Sequence, residues 1–240
     1  MAHALHNVRN VSVIISCEHA CNFVPPTYRK YFPDAEQLLD SHRGWDPGAA
    51  QMARTLAAEL DVSAHLAPAT RLLVEPNRSL THPDLFSSFT RVCDGTTKQQ
   101  ILEQYYHPYR SAVQNEIQRQ QSKSVCVLHL SVHSFTPELH GTVRKADIGF
   151  LYDPRRRPER EFCQSWLHAM AQQRCDLKLR RNYPYRGIAD GFTTALRKQF
   201  PAVGYLGIEL EVNQKHWQSR SRWNQLSRDL AATLRTLLHL

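Results

Sequence analysis

Strand-like and helix-like segments alternate along this chain, which predicts an α/β fold built on a central, largely parallel or mixed sheet. Three observations carry that expectation. β-Branched and apolar runs of strand length recur at residues 11–16, 124–132, 148–152 and 203–212. Between them, apolar residues fall three and four apart, the period of an amphipathic helix. No internal repeat, low-complexity tract or Gly/Ser-rich linker interrupts the pattern, so one domain spanning 1–240 is expected.

Residues 11–16 read as a buried first strand that runs into Cys17-Glu-His-Ala-Cys-Asn22 and is stopped by Pro25-Pro26. Open α/β sheets place ligands beyond the carboxyl ends of their strands, which is where His19 falls. Asp46-Pro47-Gly48 looks like a helix start, with Asp46 as N-cap and Pro47 in the first helical position. Ala49, Met52, Ala53, Leu56, Ala57 and Leu60 continue that helix. Residues 72–74 predict another strand, ending in Glu75-Pro-Asn-Arg78, and 79–97 are loop-like. A helical stretch over about 98–121 follows, with a break near Pro108 and an apolar stripe of Tyr105, Tyr109, Val113 and Ile117. The strand at 124–132 ends in His133-Ser-Phe-Thr-Pro137. A strand at 148–152, a helix at 158–172 and a short helix at 190–199 come next. The strand at 203–212 carries Glu209 and Glu211, and an amphipathic helix over 217–238 closes the chain.

Composition narrows the function classes. With 240 residues, 42% hydrophobic and 22% charged, the chain is neither disordered nor fibrous and can bury a core without disulfides. No apolar run approaches the roughly 18 residues of a spanning helix. The first 17 residues hold one cation, Arg9, and an apolar stretch of only 11–15, too short for a secretory leader. Six cysteines without a CxxC spacing read as reduced thiols. A cytoplasmic protein with no membrane partner is expected. The net charge of +8 raises nucleic acid as a partner. However, the arginine clusters (155–157 with 160, 180–181, 220 with 222) are short and not interleaved with aromatics, so they read as solvated surface charge. A basic field would also draw in a small acidic substrate.

Reactive side chains gather at strand ends: His19 after the first, His133 after the one from 124, and Glu209 and Glu211 within the late one. Each alone has a structural explanation. Two histidines and a carboxylate at one sheet edge are what a three-ligand catalytic zinc site needs, with a position left for water. Glu209 and Glu211, two apart in a strand, face the same side, and burying them is costly unless they are paired or functional. The chain lacks a P-loop, a dinucleotide glycine fingerprint, HExxH and G-x-S-x-G. Cys17-x-His19-x-Cys21 lacks the further ligands of a thiolate site.

Six segments in order resemble the N-formylglutamate amidohydrolase family. They are Ser-Cys-Glu-His19-Ala, Gly44-Trp-Asp46-Pro-Gly, Arg71-Leu-Leu-Val-Glu-Pro-Asn77-Arg78, Ser-Val-His133-Ser-Phe-Thr-Pro, Asn182-Tyr-Pro-Tyr185-Arg-Gly187 and Ile208-Glu-Leu-Glu211-Val-Asn-Gln214. The resemblance implies the fold of zinc carboxypeptidases, a three-layer α/β/α domain with a central mixed sheet. It also implies zinc-dependent hydrolysis of an N-formyl or N-acyl amino acid such as N-formylglutamate. One zinc per chain would be held by His19, His133 and Asp46, although Asp46 reads equally well as a helix cap. Asn22 stands where a carboxypeptidase-like His-x-x-Glu would place a carboxylate, which makes Glu18 the second candidate for that ligand. Glu211 matches the family's acidic position best, with Glu209 as alternate because the Glu-x-Glu repeat leaves the register open by two. Asn77-Arg78 is similar to the Asn-Arg pair that holds a substrate's terminal carboxylate, supported by Arg71, Tyr185 and Arg186. The alternatives are a metallohydrolase of the same fold acting on a peptide or another modified amino acid, and a non-catalytic binding protein.

Overall fold

The computed structural model describes residues 11–123 and 126–239. Its strands are β1 (Val11–Cys17), β2 (Ala64–Leu66), β3 (Cys126–Phe135), β4 (Glu138–Leu139), β5 (Thr142–Val143), β6 (Ile148–Leu151), β7 (Leu179–Arg181) and β8 (Tyr205–Asn213). Six of them form one sheet in the order β2-β1-β3-β8-β6-β7, while β4 and β5 pair separately. β2, β1, β3 and β8 are mutually parallel, β6 runs antiparallel to β8, and β7 is parallel to β6. The sheet is therefore mixed, as expected.

Side-chain alternation sorts the sheet into two faces. One face carries Val13, Ile15, Leu128, Leu130, Leu206, Ile208 and Leu210. Helices α2 (Ala49–Glu59), α5 (Arg157–Gln173) and α7 (Arg220–Leu238) cover it through Met52, Leu56, Trp166, Trp223 and Leu230. On the other face Ile14, Val127 and Tyr205 pack against α4 (His107–Gln121) and α6 (Phe192–Gln199) through Tyr109, Val113, Ile117 and Leu196. Three layers result. A further cluster of Tyr28, Phe32, Leu73, Val74 and Tyr106 lies under the long connection, with the short helices α1 (Glu36–Asp40) and α3 (Gly95–Ile101) beside it.

Several elements depart from expectation. Residues 72 and 73 lie in a turn and Val74 in irregular chain, not a strand: Leu73 N bonds back to Thr70 O and Arg78 N to Glu75 O, and the apolar side chains fill the loop cluster. A three-residue apolar run carries no period that separates the two outcomes. The edge strand β2, short and half-buried, was not among the expected strands. The break near Pro108 takes the form of a π-helical turn over Leu102–Tyr106, and Pro108 sits in the first turn of α4, where its missing N–H is tolerated. His133 lies inside β3, not beyond it. Residues 124–125 of the expected strand, and residues 1–10 of the start, lie outside the described residues.

The densest arginine cluster is engaged within the chain. Arg155 pairs with Asp153, Arg157 pairs with Glu161, and Arg156 donates to the carbonyls of Phe200 and Tyr205. All six cysteines are free. No helix among the described residues is long and apolar enough to cross a membrane.

Helix α2 also starts differently. Its N-cap is Gly48, in the left-handed region at φ 84°, and Asp46 offers only its backbone oxygen, to Ala49 N. The cap reading of Asp46 is thereby corrected. A Cβ on Gly48 would lie 2.6 Å from both the Trp217 and Trp223 rings. Gly48→Ala therefore combines a disfavoured backbone with overpacking and should lose about 2–4 kcal/mol of stability in urea unfolding.

Candidate metal centre and pocket

β1 and β3 are parallel neighbours, with Ser16 opposite Ser131, so their carboxyl ends reach the same sheet edge. His19 follows β1 by two residues and His133 stands near the end of β3. The loop ahead of α2 is tied to the first of these by Asp46 N donating to His19 O at 3.0 Å. Three side-chain atoms converge there. His19 Nδ1 lies 3.1 Å and His133 Nδ1 2.9 Å from Asp46 Oδ2, and the two Nδ1 atoms are 3.2 Å apart. All three residues are buried.

The outer nitrogens face carboxylates: His19 Nε2 is 2.6 Å from Glu75 Oε1, and His133 Nε2 is 3.1 Å from Glu18 Oε2 and 2.9 Å from Ser131 Oγ, whose own proton goes to Glu18. A carboxylate only accepts, so each Nε2 keeps its proton and a neutral ring turns its Nδ1 lone pair inward. With both rings in that neutral form, two such lone pairs and a carboxylate oxygen meet at one point. That donor set fits a small cation such as zinc, and carboxylates behind the imidazoles are the usual support of such a centre. Burial opposes the charged forms of Asp46, Glu18 and Glu75, yet their partners hold all three well below the ordinary carboxylate range. Those partners are His19 and His133 for Asp46, His133 and Ser131 for Glu18, and Arg71 and His19 for Glu75. Burial likewise opposes charge on His133, but Asp46 and Glu18 outweigh it and hold that imidazole well above its usual value.

The cluster lines a cavity of about 190 Å³. Glu211 stands directly opposite His133 across the β3–β8 ladder and lines the same cavity. It is buried, and its Oε2 has no hydrogen-bond partner among the described residues. Glu209, on the same face, is only half-buried, and its Oε1 accepts from Thr193 Oγ1 at 2.5 Å. Asn77 and Arg78 line the cavity as well. Asn77 Oδ1 accepts from Phe192 N at 2.7 Å and so fixes the start of α6. Arg78 donates to Asp190 O, while its own carbonyl accepts from Tyr106 Oη at 2.7 Å. Neither Arg78 nor Arg186 makes an ion pair among the described residues, whereas Arg71 is bound to Glu75 at 2.5 Å and to Asp46 at 3.4 Å. Tyr185 and Arg186 are exposed where they line the cavity, and Arg144 lies over the Tyr185 ring at 5.2 Å.

The structure thus brings together all of the residues expected at the site, with two changes. Glu18 lies behind His133 and not among the converging atoms, and Arg71 is already paired with carboxylates. Asn22 turns to Asp40. Sequence reasoning missed Glu75 as the partner of His19; the one available signal was its position four residues after Arg71.

The family model of N-formylglutamate amidohydrolase matches residues 11–217. The chain belongs to the N-formylglutamate amidohydrolase family. By that membership it is a hydrolase of the amidohydrolase type. Among solved structures it is similar to a gene product of Agrobacterium tumefaciens, with 26% identity, a TM-score of 0.81, and 95% of this chain and 90% of that one covered. It also shares the fold of the N-formylglutamate amidohydrolase of Ralstonia eutropha, at 16% identity, a TM-score of 0.68, and 95% and 93% coverage. No curated protein matches it.

The pocket carboxyl has a measurable consequence. Burial, with Asp46 and Glu209 adding to it against the pull of His133, pushes the pKa of Glu211 up to about 8. The unfolded value is about 4.3, so between the two the folded chain binds the extra proton and stability falls as pH rises. Glu211→Gln cannot ionise. In chelator-treated protein, urea unfolding from about pH 5 to 8 should show the variant gaining on wild type by on the order of 1 kcal/mol per pH unit. Parallel stability curves would show that the carboxyl is not held in this way.

Proposed function

We propose that this chain is a zinc-dependent amidohydrolase that removes the formyl group, or another small acyl group, from an N-acyl amino acid such as N-formylglutamate. One observation carries the reading: three ligand atoms of His19, Asp46 and His133 meet within hydrogen-bond distance, in a cavity that also holds the Glu211 carboxyl, whose Oε2 has no hydrogen-bond partner among the described residues. Zinc at that point supplies Lewis acidity, polarising the amide carbonyl and lowering the pKa of water towards about 7.

The protein's own residues do the rest. Glu211 takes the proton of the attacking water on its free Oε2 and delivers it to the leaving amine nitrogen. Glu209, engaged by Thr193, is less well placed for this. Arg78 presents a planar fork without a competing carboxylate and anchors the substrate's carboxylate. Arg186 and Tyr185 meet the far end of the substrate. Arg71 contributes by holding Asp46 and Glu75 in place. A cavity of about 190 Å³ suits a small amino-acid derivative better than a peptide. The pocket draws on residues from His19 to Glu211, which supports a single catalytic domain, and six free thiols fit a reducing, cytoplasmic setting.

Metal analysis joined to a deformylation screen over N-formyl amino acids tests the proposal. Purified protein should carry about one zinc per chain. His19→Ala, Asp46→Ala and His133→Ala should each lose metal and activity while retaining the far-ultraviolet spectrum. Glu211→Gln should keep zinc and lower turnover by about two to four orders of magnitude, and Glu209→Gln should do less. Full zinc occupancy in both histidine variants would overturn the site.

Substrate anchoring has its own readout. Arg78→Lys retains the charge but loses the fork, so KM for N-formylglutamate should rise about tenfold or more with zinc still bound. Wild-type kinetics in both Arg78→Lys and Arg78→Ala would point to a neutral amide as substrate instead.

A further inference from the structure

Glu18 is fully buried on the α4/α6 side of the sheet, does not line the cavity, and takes no part in the chemistry above. Its Oε1 accepts from Ser16 Oγ at 2.8 Å and from Tyr109 Oη at 2.8 Å. Its Oε2 accepts from Ser131 Oγ and faces His133 Nε2 at 3.1 Å; with its one proton given to Glu18, Ser131 Oγ in turn accepts from that Nε2 at 2.9 Å. Ser16 has one hydroxyl proton, and that proton goes to Glu18. The other contact of Ser16, with His129 Nε2 at 2.8 Å, must therefore be donated by the histidine. His129 is buried, and burial pushes its pKa down to about 4. It is neutral, with its single ring proton on Nε2, and its Nδ1 accepts from Tyr205 Oη at 2.8 Å. Every proton along Tyr205, His129 and Ser16 thus points toward Glu18. With Tyr109 and Ser131 donating as well, the carboxylate is fixed as an acceptor toward His133, which places that imidazole's proton on Nε2 and its lone pair on Nδ1.

We infer that Glu18, oriented by this one-directional chain of hydrogen bonds, is the positioning residue that sets the tautomer and ring direction of His133 and thereby the affinity of the centre for its metal. The inference rests on the His19–Asp46–His133 site of the proposed function. It assigns no ligand role to Glu18, whose oxygens are both occupied by donors.

Zinc affinity, measured by competition with a chromophoric chelator, tests it on wild type, Glu18→Gln and Tyr109→Phe. Glu18→Gln keeps the volume and an acceptor but removes the charge, and should weaken zinc binding about 10- to 100-fold. Tyr109→Phe keeps the ring in the core and removes one donor, so it should weaken binding a few-fold, and it serves as the test if Glu18→Gln does not fold. Nitrogen NMR of the His133 ring adds a readout that a purely structural role would not move. In zinc-loaded protein the ring proton sits on Nε2, so the signal to read is its hydrogen bonding: wild type should show a downfield, slowly exchanging Nε2–H, and Glu18→Gln should lose that shift and protection. Unchanged affinity in the folded variants, with wild type binding zinc, overturns the role of Glu18 and leaves the proposed function standing. Absence of zinc binding in wild type overturns the proposed function itself, and this inference with it.

Discussion

Charge neutralisation at one buried point is the constraint on which the site depends. Asp46, Glu75 and Glu18 are buried and held in the charged form by their neighbours. An isolated carboxylate in such a place would cost several kcal/mol or give up its charge. Arg71, paired with both Asp46 and Glu75, offsets one of the three charges. Two remain, facing two imidazoles. Two imidazolium protons neutralise that remainder, and so does one divalent cation between neutral rings. The converging Nδ1 atoms suit the second solution, because a cation can be shared by all three ligands whereas each proton serves one pair at a time. On this view the fold is built to hold a deficit of positive charge at the sheet edge, and the proposed zinc completes it.

The sheet places that deficit through its period of two. Odd residues of β3 and β8 and even residues of β1 share the α4/α6 face. Toward the amino ends that face is apolar, with Ile14, Val127 and Tyr205. Toward the carboxyl ends it turns polar, with Ser16, Ser131, His133, Glu209 and Glu211. A slip of one residue in β3 would present Val132 in place of His133, so register and site are specified together. β6 makes room from the other side. A Cβ on Gly149 would lie 1.7 Å from Tyr183 O and 3.4 Å from Glu211 Cβ. Glycine at that position lets the segment bearing Tyr185 and Arg186 pass close above the strand that pairs with Glu211.

The parts legible in the sequence were those whose signal is local or repeated. Strands β1, β3, β6 and β8 announced themselves by apolar runs, the helices by their period, and His19, Asp46 and His133 by ordered resemblance to a family. What stayed hidden was set by distant partners. Asp46-Pro47-Gly48 has the local chemistry of a cap, yet its carboxylate is drawn to imidazoles 27 and 87 positions away in the chain, and Gly48 takes over the cap. Residues 72–74 are apolar because they fill a loop cluster, and their short run does not distinguish a turn from a strand. Glu18 adjoins His19 in sequence but faces His133, because β1 and β3 are neighbours, and no spacing rule encodes that exchange.

Rigidity is distributed unevenly around the cavity, and the distribution matches the proposed division of labour. The segment carrying Asn77 and Arg78 is clamped from two helices. From α4, Arg110 donates to Pro76 O at 2.9 Å and lies over the Phe192 ring at 4.2 Å, while Tyr106, in the π turn just before α4, binds Arg78 O. From α6, the amide of Phe192 holds Asn77. An arginine fixed in this way loses little further freedom when it binds, which is what an anchor common to all substrates requires. Tyr185 and Arg186, by contrast, stand exposed on a loop braced by Arg144. Loops set on a rigid frame accept substitution without disturbing the core. On the proposed function, selectivity for the amino-acid side chain would then belong to that loop, while the sheet edge and the clamped turn would read the amide and its carboxylate.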